Sequence, residues 1–467
     1  MKKISFIRFF SKSLQSFQQN LTHARYYTFQ KRYFMKKQSL CIAAAALVLA
    51  SCASTGVKTS ADGYASVSKN GAAVPYRVLL KTADGVEIQN GGYGSDGCAH
   101  PADSSLFYLI TDRGPNIDYE GASGKGKLFP VPEYSPRIGL FRMEKDGTVS
   151  LVKEIILKSP DGKPITGLPN PKDRGATGEI AYTLDGKILG TDDYGLDSEG
   201  IAAAKDGTFW ISDEYGPHIV HFAADGTEIE RISPYGMTTG NRHLPAVLAR
   251  RRANRGMEGL ALTPDGKTLV GLMQSTLYNP SKKEITNKRL IRIVTFDIAS
   301  GATKQFVYLQ NKETDSTCGI VALSNTEFVV IERDGNFSGE KETHKYLFKI
   351  DISGATDVTG DDVQSPDGMV VNGKTLEQCS AEELSKAGIK TVSKKLLVDL
   401  TSYLPNKYPH DKLEGLWITG RNSIAVANDN DFAINVKDNK LVQKILPGTD
   451  RIDDDVVYVI TLEHPLY

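Results

Sequence analysis

"EGIAAAKDG" at 199–207 and "EGLALTPDG" at 258–266 both open with Glu-Gly and place Asp-Gly seven residues later; "EGLWITGRN" at 414–422 is a looser third copy. Each reads as a short strand, a tight Asp-Gly turn and a returning strand. Folding 199–214 about Asp206-Gly207 brings Glu199 opposite Asp213 and Glu214 at one end of the hairpin. The same arithmetic sets Glu258 opposite Met273-Gln274 and Glu414 opposite Asn428-Asp429. In "SDGCAHPADSSLFYLITDRG" it sets Asp96 opposite Asp112-Arg113, and around 325 it sets Gly319 near Glu332.

Five hairpins therefore place acids or amides at a shared edge. Strand-like stretches such as "HIVHFAADG", "LIRIVTFDIASG" and "YLFKIDISG" follow them, and the spacing 199, 258, 319 is close to sixty residues. Asp-Gly turns recur throughout, as at Asp84, Asp146, Asp225 and Asp367, whereas only 242–252 and 375–388 read as helical. Repeated four-stranded units that begin at an inner strand predict an all-β fold, a β-propeller. Glycine would let the inner backbones crowd at the axis, and the carboxylates would ring one mouth of the channel. A sixth unit is expected from 137–195, with Glu179 and Asp192-Asp193 in a similar arrangement. Six blades are expected, five or seven being compatible, with 76–82 closing the sheet near 452–462.

The ends are not propeller. Residues 1–51 carry nine basic residues and no acidic one, and Leu40–Ala50 is an apolar run suited to a signal peptide but too short to span a bilayer. Met35 is the expected true start. Leu49-Ala50-Ser51-Cys52 resembles a lipobox, so Cys52 is the expected lipidation site, 52–74 a flexible tether and 75–467 the globular domain. The expected location is the bacterial cell envelope, periplasmic and at the outer membrane, with membrane contact through the lipid alone. The precursor balances 56 basic against 56 acidic residues; without the leader 47 face 56, a net charge of −9. That acidity argues against nucleic-acid binding and leaves carboxylates free for cations. Cys98, Cys318 and Cys379 have no paired spacing and are expected as buried thiols. A monomer is expected.

Several long stretches resemble the phytase-like family of exported bacterial proteins, described by an esterase-like activity of phytase. They include "FYLITDRGPN" (107–116), "PRIGLFRMEKDG" (136–147), "GLDSEGIAAAKDGTFWISDEYGPHIVHF" (195–222), "NRGMEGLALTPDGKTL" (254–269), "VVIERDG" (329–335) and "KLEGLWITGRNSIAVANDNDF" (412–432). The resemblance implies a propeller with an acidic, calcium-linked face and phosphoester hydrolysis. An Asp-Asp-Pro-Ala-Ile-Trp type motif, carried by alkaline propeller phytases, is absent from the sequence.

Calcium takes six to eight hard oxygen ligands, so the expected metal ligands are Asp96, Asp112, Glu199, Asp213, Glu258, Glu332, Glu414 and Asp429. Arg113, Arg255, Arg333 and Lys412 sit within three residues of these acids and suit the oxygens of a small phosphorylated substrate. Glu214 joins them as a catalytic candidate. No HExxH or paired-Cys zinc motif occurs, and His218 and His221 read as structural. No G-x-S-x-G elbow occurs either, and "GASGKGKL" at 121–128 lacks the final Ser or Thr of a P-loop and reads as a flexible loop. Two other readings remain open: a calcium-braced cell-surface binding propeller, and a sugar-lactonase-like hydrolase using one metal with Glu258, Asn428 and Asp429.

Overall fold

The hairpin at 199–214 forms as the sequence predicts, with one refinement. In the computed structural model, Ser198 pairs with Asp213 and Gly200 with Ser212, so Glu199 is the extra residue of a β-bulge. Glu258 is bulged in the same way between the pairs Met257–Met273 and Gly259–Leu272, and the register also shifts across Cys318-Gly319. A bulge bends its strand and re-aims one side chain. The chain uses it three times at the same place.

The structure describes Tyr64 and residues 67–236, 242–340 and 342–467. The leader, Cys52 and most of the expected tether lie outside the described residues. Among the described residues, five antiparallel four-stranded sheets form the blades. Blade 1 comprises Asp96–Ala99, Leu106–Ile110, Arg137–Met143 and Val149–Ile156; blade 2 Ser198–Ala203, Phe209–Asp213, Ile219–Phe222 and Glu228–Ile232; blade 3 Met257–Leu262, Thr268–Met273, Leu290–Asp297 and Thr303–Leu309. Blade 4 comprises Ser316–Ala322, Glu327–Arg333, Lys345–Asp351 and Ser393–Asp399, and blade 5 Gly415–Gly420, Ser423–Ala427, Val456–Thr461 and Ala72–Ala73.

The inner strands touch in sequence order and the fifth returns to the first. Asp96 makes that closure: Oδ2 accepts from Ile201 N of blade 2 at 3.1 Å and Oδ1 from Leu416 N of blade 5 at 3.2 Å. Close approach between inner strands explains the glycines. A Cβ on Gly200 would lie 2.5 Å from Leu260 N, and one on Gly259 2.5 Å from the Cys318 carbonyl oxygen. Apolar residues fill the wedges between blades, as where Trp417 of blade 5 stacks on Phe107 of blade 1 with ring centroids 5.1 Å apart.

Five sheets close the ring, so the expected sixth blade from 137–195 is corrected. Residues 137–143 and 149–156 are the outer strands of blade 1, and Ile180–Tyr182 joins a small sheet with Gly124–Leu128 and Ile117–Gly121. Asp192 caps a local loop through Thr166 and Tyr194, and Asp193 pairs with Arg174. The closing strand of blade 5 is Ala72–Ala73, whereas Val78–Lys81 pairs with Glu87–Gln89. The last part of the expected tether thus belongs to the fold, and Tyr64 is buried against Phe107. "GASGKGKL" is a hairpin arm rather than a flexible loop. The expected helix at 242–252 shrinks to a 3-10 turn, Ala246–Arg250, because Val247 and Leu248 bury between blades and Arg251 turns to bond the Tyr215 carbonyl.

A candidate metal centre at the channel mouth

A cavity of about 540 Å³ opens where the bulged acids meet. Blades 2, 3 and 5 supply Glu199, Glu258 and Glu414; the ends of second strands supply Asp112, Arg113, Glu214, Gln274 and Arg333. Arg255 and Asn254 come from the loop entering blade 3, Ser316 opens the inner strand of blade 4, and the arm at 117–128 overhangs with Asp118, Lys125 and Lys127. The lining holds nine carboxylates against six cationic side chains. The buried carboxylates among them, crowded and closed from water, favour a bound proton or a cation.

The titration behaviour follows from that crowding. Burial raises Glu258 to about 7, helped by the charge of Glu414. Burial likewise raises Asp197 to about 7 against the pull of Arg113, and Glu414 to about 7 against Lys412 and Arg333. Glu199 and Glu214 are pushed well up by burial and by Glu258.

Two groups place one ligand atom per residue within 4.8 Å of the others: Asp112, Asp197 and Glu199, and Glu258, Cys318 and Glu414. Glu258 Oε2 is buried without a hydrogen-bond partner, and Asp197 Oδ2, also without a hydrogen bond, lies 3.6 Å from Arg113 Nε. Among the described residues, no donor reaches the Glu199 or Glu214 carboxylate. Orphaned anionic oxygens on a hard-oxygen set fit a calcium-class ion, and Asp112, Asp197 and Glu199 are the residues that would hold it.

The sequence matches the phytase-like family, described as "Esterase-like activity of phytase", over residues 91–432. The chain belongs to the phytase-like family. A curated relative in this phytase-like chain's neighbourhood is a protein of the fungus Arthroderma benhamiae called "Uncharacterized secreted protein", 29% identical over 239 residues. The match takes in 40% of this chain and 46% of the fungal protein, so the chain spans about half the length of the relative it matches. Among solved structures, a luciferin-regenerating enzyme is 11% identical with a TM-score of 0.32, covering 84% of this chain and 97% of the other. A streptogramin B lyase is 14% identical with a TM-score of 0.29, covering 72% and 90%.

The phytase-like site differs from the sequence expectation at several positions. Asp112, Glu199, Glu258, Glu414, Arg113, Glu214, Arg255, Arg333 and Lys412 all line the cavity. Asp96, Asp213, Glu332 and Asp429 do not, and each is committed elsewhere. Asp96 pairs opposite Ile110, two residues from the expected register, and both its oxygens close the blade ring. Asp213 Oδ1 accepts from Asp197 N and Tyr215 N, and Oδ2 faces His218 at 3.2 Å. Glu332 turns into the seam between blades 3 and 4, where Tyr308, Asn311 N and Lys394 saturate it. Asp429 sits behind Lys412, bonded at 2.6 Å. Asn428 donates to Asp454 O and accepts from Val456 N, so the Glu258, Asn428, Asp429 metal set is not assembled.

Three of the four expected cations are also committed. Arg113 pairs with Glu179 at 2.9 Å and bonds Asn254, Arg333 pairs with Glu414, and Lys412 bridges Asp429 and Asp431 at 2.6 Å each. Arg255 alone among the four has no carboxylate partner among the described residues; its Nη1 donates to Ser316 Oγ at 3.0 Å. His218 bonds Arg231, and His221 bonds Thr208 and stacks on Trp210, so both are structural as read. Sequence reasoning missed Asp197, which lies outside the Glu-Gly signature and enters the site by pairing with Arg113 across the bulge.

Proposed function

We propose that this chain is an exported, lipid-anchored propeller that hydrolyses a small anionic ester, foremost a phosphate ester, at a calcium-holding channel mouth. The observation that carries the reading is Arg255, a guanidinium with no carboxylate partner among the described residues, on the same cavity as Asp112, Asp197 and Glu199. A guanidinium beside clustered acids suits a substrate that is itself anionic and bound partly through a cation. Calcium held there supplies positive charge against the ester oxygens.

The chain's own groups divide the remaining work. Arg255 takes a non-bridging oxygen of the substrate, and Lys125 on the overhanging arm lines the same cavity. Arg113, fixed by Glu179, Asp197 and Asn254, holds Asp197 in place rather than binding substrate. Glu214 is the proton-transfer group, because its carboxylate lines the cavity and no protein donor occupies it. Export is supported by the leader-like residues 1–51 and by the secreted relative's name. Among the described residues no helix is long and apolar enough to cross a membrane; the attachment in this reading is the lipid on Cys52. A Cys52→Ser protein should leave the membrane fraction.

The test is hydrolysis of phosphomonoester, phosphodiester and acyl ester substrates sharing one chromogenic leaving group, with calcium and with chelator. Calcium-dependent cleavage of a phosphate ester, abolished in Glu214→Gln, is the expected result. Cleavage of the acyl ester alone would move the reading to an acyl esterase. Calcium stabilisation with no cleavage of any substrate would favour the binding propeller, for which the ion is only a brace.

A further inference from the structure

The ring position that carries Asp96, Glu199, Glu258 and Glu414 in four blades carries Cys318 in blade 4, and glycine follows in all five. Cys318 is fully buried, with Sγ 3.4 Å from Glu258 Oε1 and 4.0 Å from Glu414 Oε1. Glu258 is 2% exposed and lines the cavity, yet its Oε2 has no partner. Gln274 holds only the other oxygen, Oε1, at 2.6 Å.

We propose that Glu258, Cys318 and Glu414 form a second metal site, thiolate-containing, that takes a divalent ion of the zinc and cobalt class beside the all-oxygen group. Calcium selects oxygen, whereas a thiolate favours softer ions. Two carboxylates and a thiolate carry three negative charges, and Arg333 paired with Glu414 cancels one. A dication neutralises the remainder. Three protein ligands is the number found in zinc sites that keep an open position, and both carboxylates face the cavity. On binding, the Cys318 S–H bond breaks, its electron pair goes to the metal–sulfur bond, and the proton leaves to solvent. A thiol that merely donates to Glu258 would do none of this.

This inference rests on the reading of the mouth as a metal centre, and the two can fail separately. The test is titration of the reduced, chelator-treated full chain with cobalt(II) in excess calcium, read by sulfur-to-metal charge-transfer absorption. The expected result is a band saturating near one equivalent, lost in Cys318→Ser, weakened in Glu258→Gln and retained in Cys98→Ser and Cys379→Ser. Should Cys318→Ser not fold, X-ray absorption at the cobalt edge of the wild-type chain decides: one sulfur among oxygens supports the site, and oxygen or nitrogen alone overturns it. No band in wild type, or an undiminished band in folded Cys318→Ser, overturns the proposal. If calcium still stabilises the protein in that case, the metal-centre reading stands without it; if calcium has no effect either, both fail.

Discussion

The Gln274 side-chain amide donates to Glu258 Oε1 at 2.6 Å and leaves Glu258 Oε2, in a residue closed from water, without a partner. An orphaned buried polar atom costs about 1–3 kcal/mol, and more when charged. The fold keeps this cost at the point where Glu199, Glu214 and Glu414 converge. A bound cation would turn the same atoms from a liability into ligands.

The glycine after Glu258 should be sterically obligatory. Gly259→Ala drives a Cβ to 2.5 Å from the Cys318 carbonyl, where rigid backbone lies on both sides. Overpacking of this kind costs about 1–3 kcal/mol. Gly190→Ala, with nothing within 4 Å of the new carbon, is the control. Denaturant unfolding should show the loss for Gly259→Ala and little change for Gly190→Ala; equal effects would argue against the close inner ring.

Arg333 and Arg255 should separate cleanly. Arg333→Ala leaves Glu414 buried and unpaired, which costs roughly 3–5 kcal/mol of stability. Arg255→Ala removes no ion pair with the described residues, so its stability should stay within about 0.5 kcal/mol. Its effect belongs in KM for an anionic substrate, about tenfold or more, because a hydrogen bond to a charged group contributes about 1.5–3 kcal/mol. A stable Arg255→Ala enzyme with unchanged KM would remove Arg255 from substrate binding.

Stability of the metal-free protein should fall as pH rises. Burial lifts Glu258 and Glu414 from an ordinary 4.5 to about 7 in the folded state, so folding takes up protons between those values. Their contribution is fully present below the unfolded value and is lost as pH rises through about 7. Asp431 acts in the opposite sense. Against the effect of burial, Lys412 and Lys444 hold it low, and its contribution is lost only below the ordinary 3.8. In chelator the melting temperature should therefore be lower near pH 8 than near pH 5, and calcium should shrink the difference. A rising profile in chelator would contradict the burial of uncompensated carboxylates.

Much of this site was legible as Glu-Gly followed by Asp-Gly. Glu199, Glu258 and Glu414 reach one mouth because turn chemistry fixes the hairpin and the following glycine allows the inner strands to meet. Blade number was less legible. The chain inserts an arm at 117–128 within blade 1, between its second and third strands, and a long excursion through 157–197 between blades 1 and 2, whose Glu179 and Asp192-Asp193 imitate a hairpin edge. Glu332 and Arg333 show the remaining limit. A shift of one residue on a strand reverses the face, so Glu332 entered the blade seam and Arg333 the mouth. The bulges that aim Glu199 and Glu258 inward leave no mark in strand periodicity.

The most direct measurement of the central claim is thermal unfolding of the chelator-treated chain during a calcium titration, in wild type and in Glu199→Gln/Glu258→Gln. A ligand that binds only the folded state adds RT ln(1 + [L]/Kd), about 2.7 kcal/mol at a hundredfold excess over Kd. The account predicts a melting temperature that climbs with calcium by several degrees in wild type and little in the double variant, whose amides keep the volume but not the charge. A wild type indifferent to calcium, or a double variant with the full wild-type shift, would contradict it.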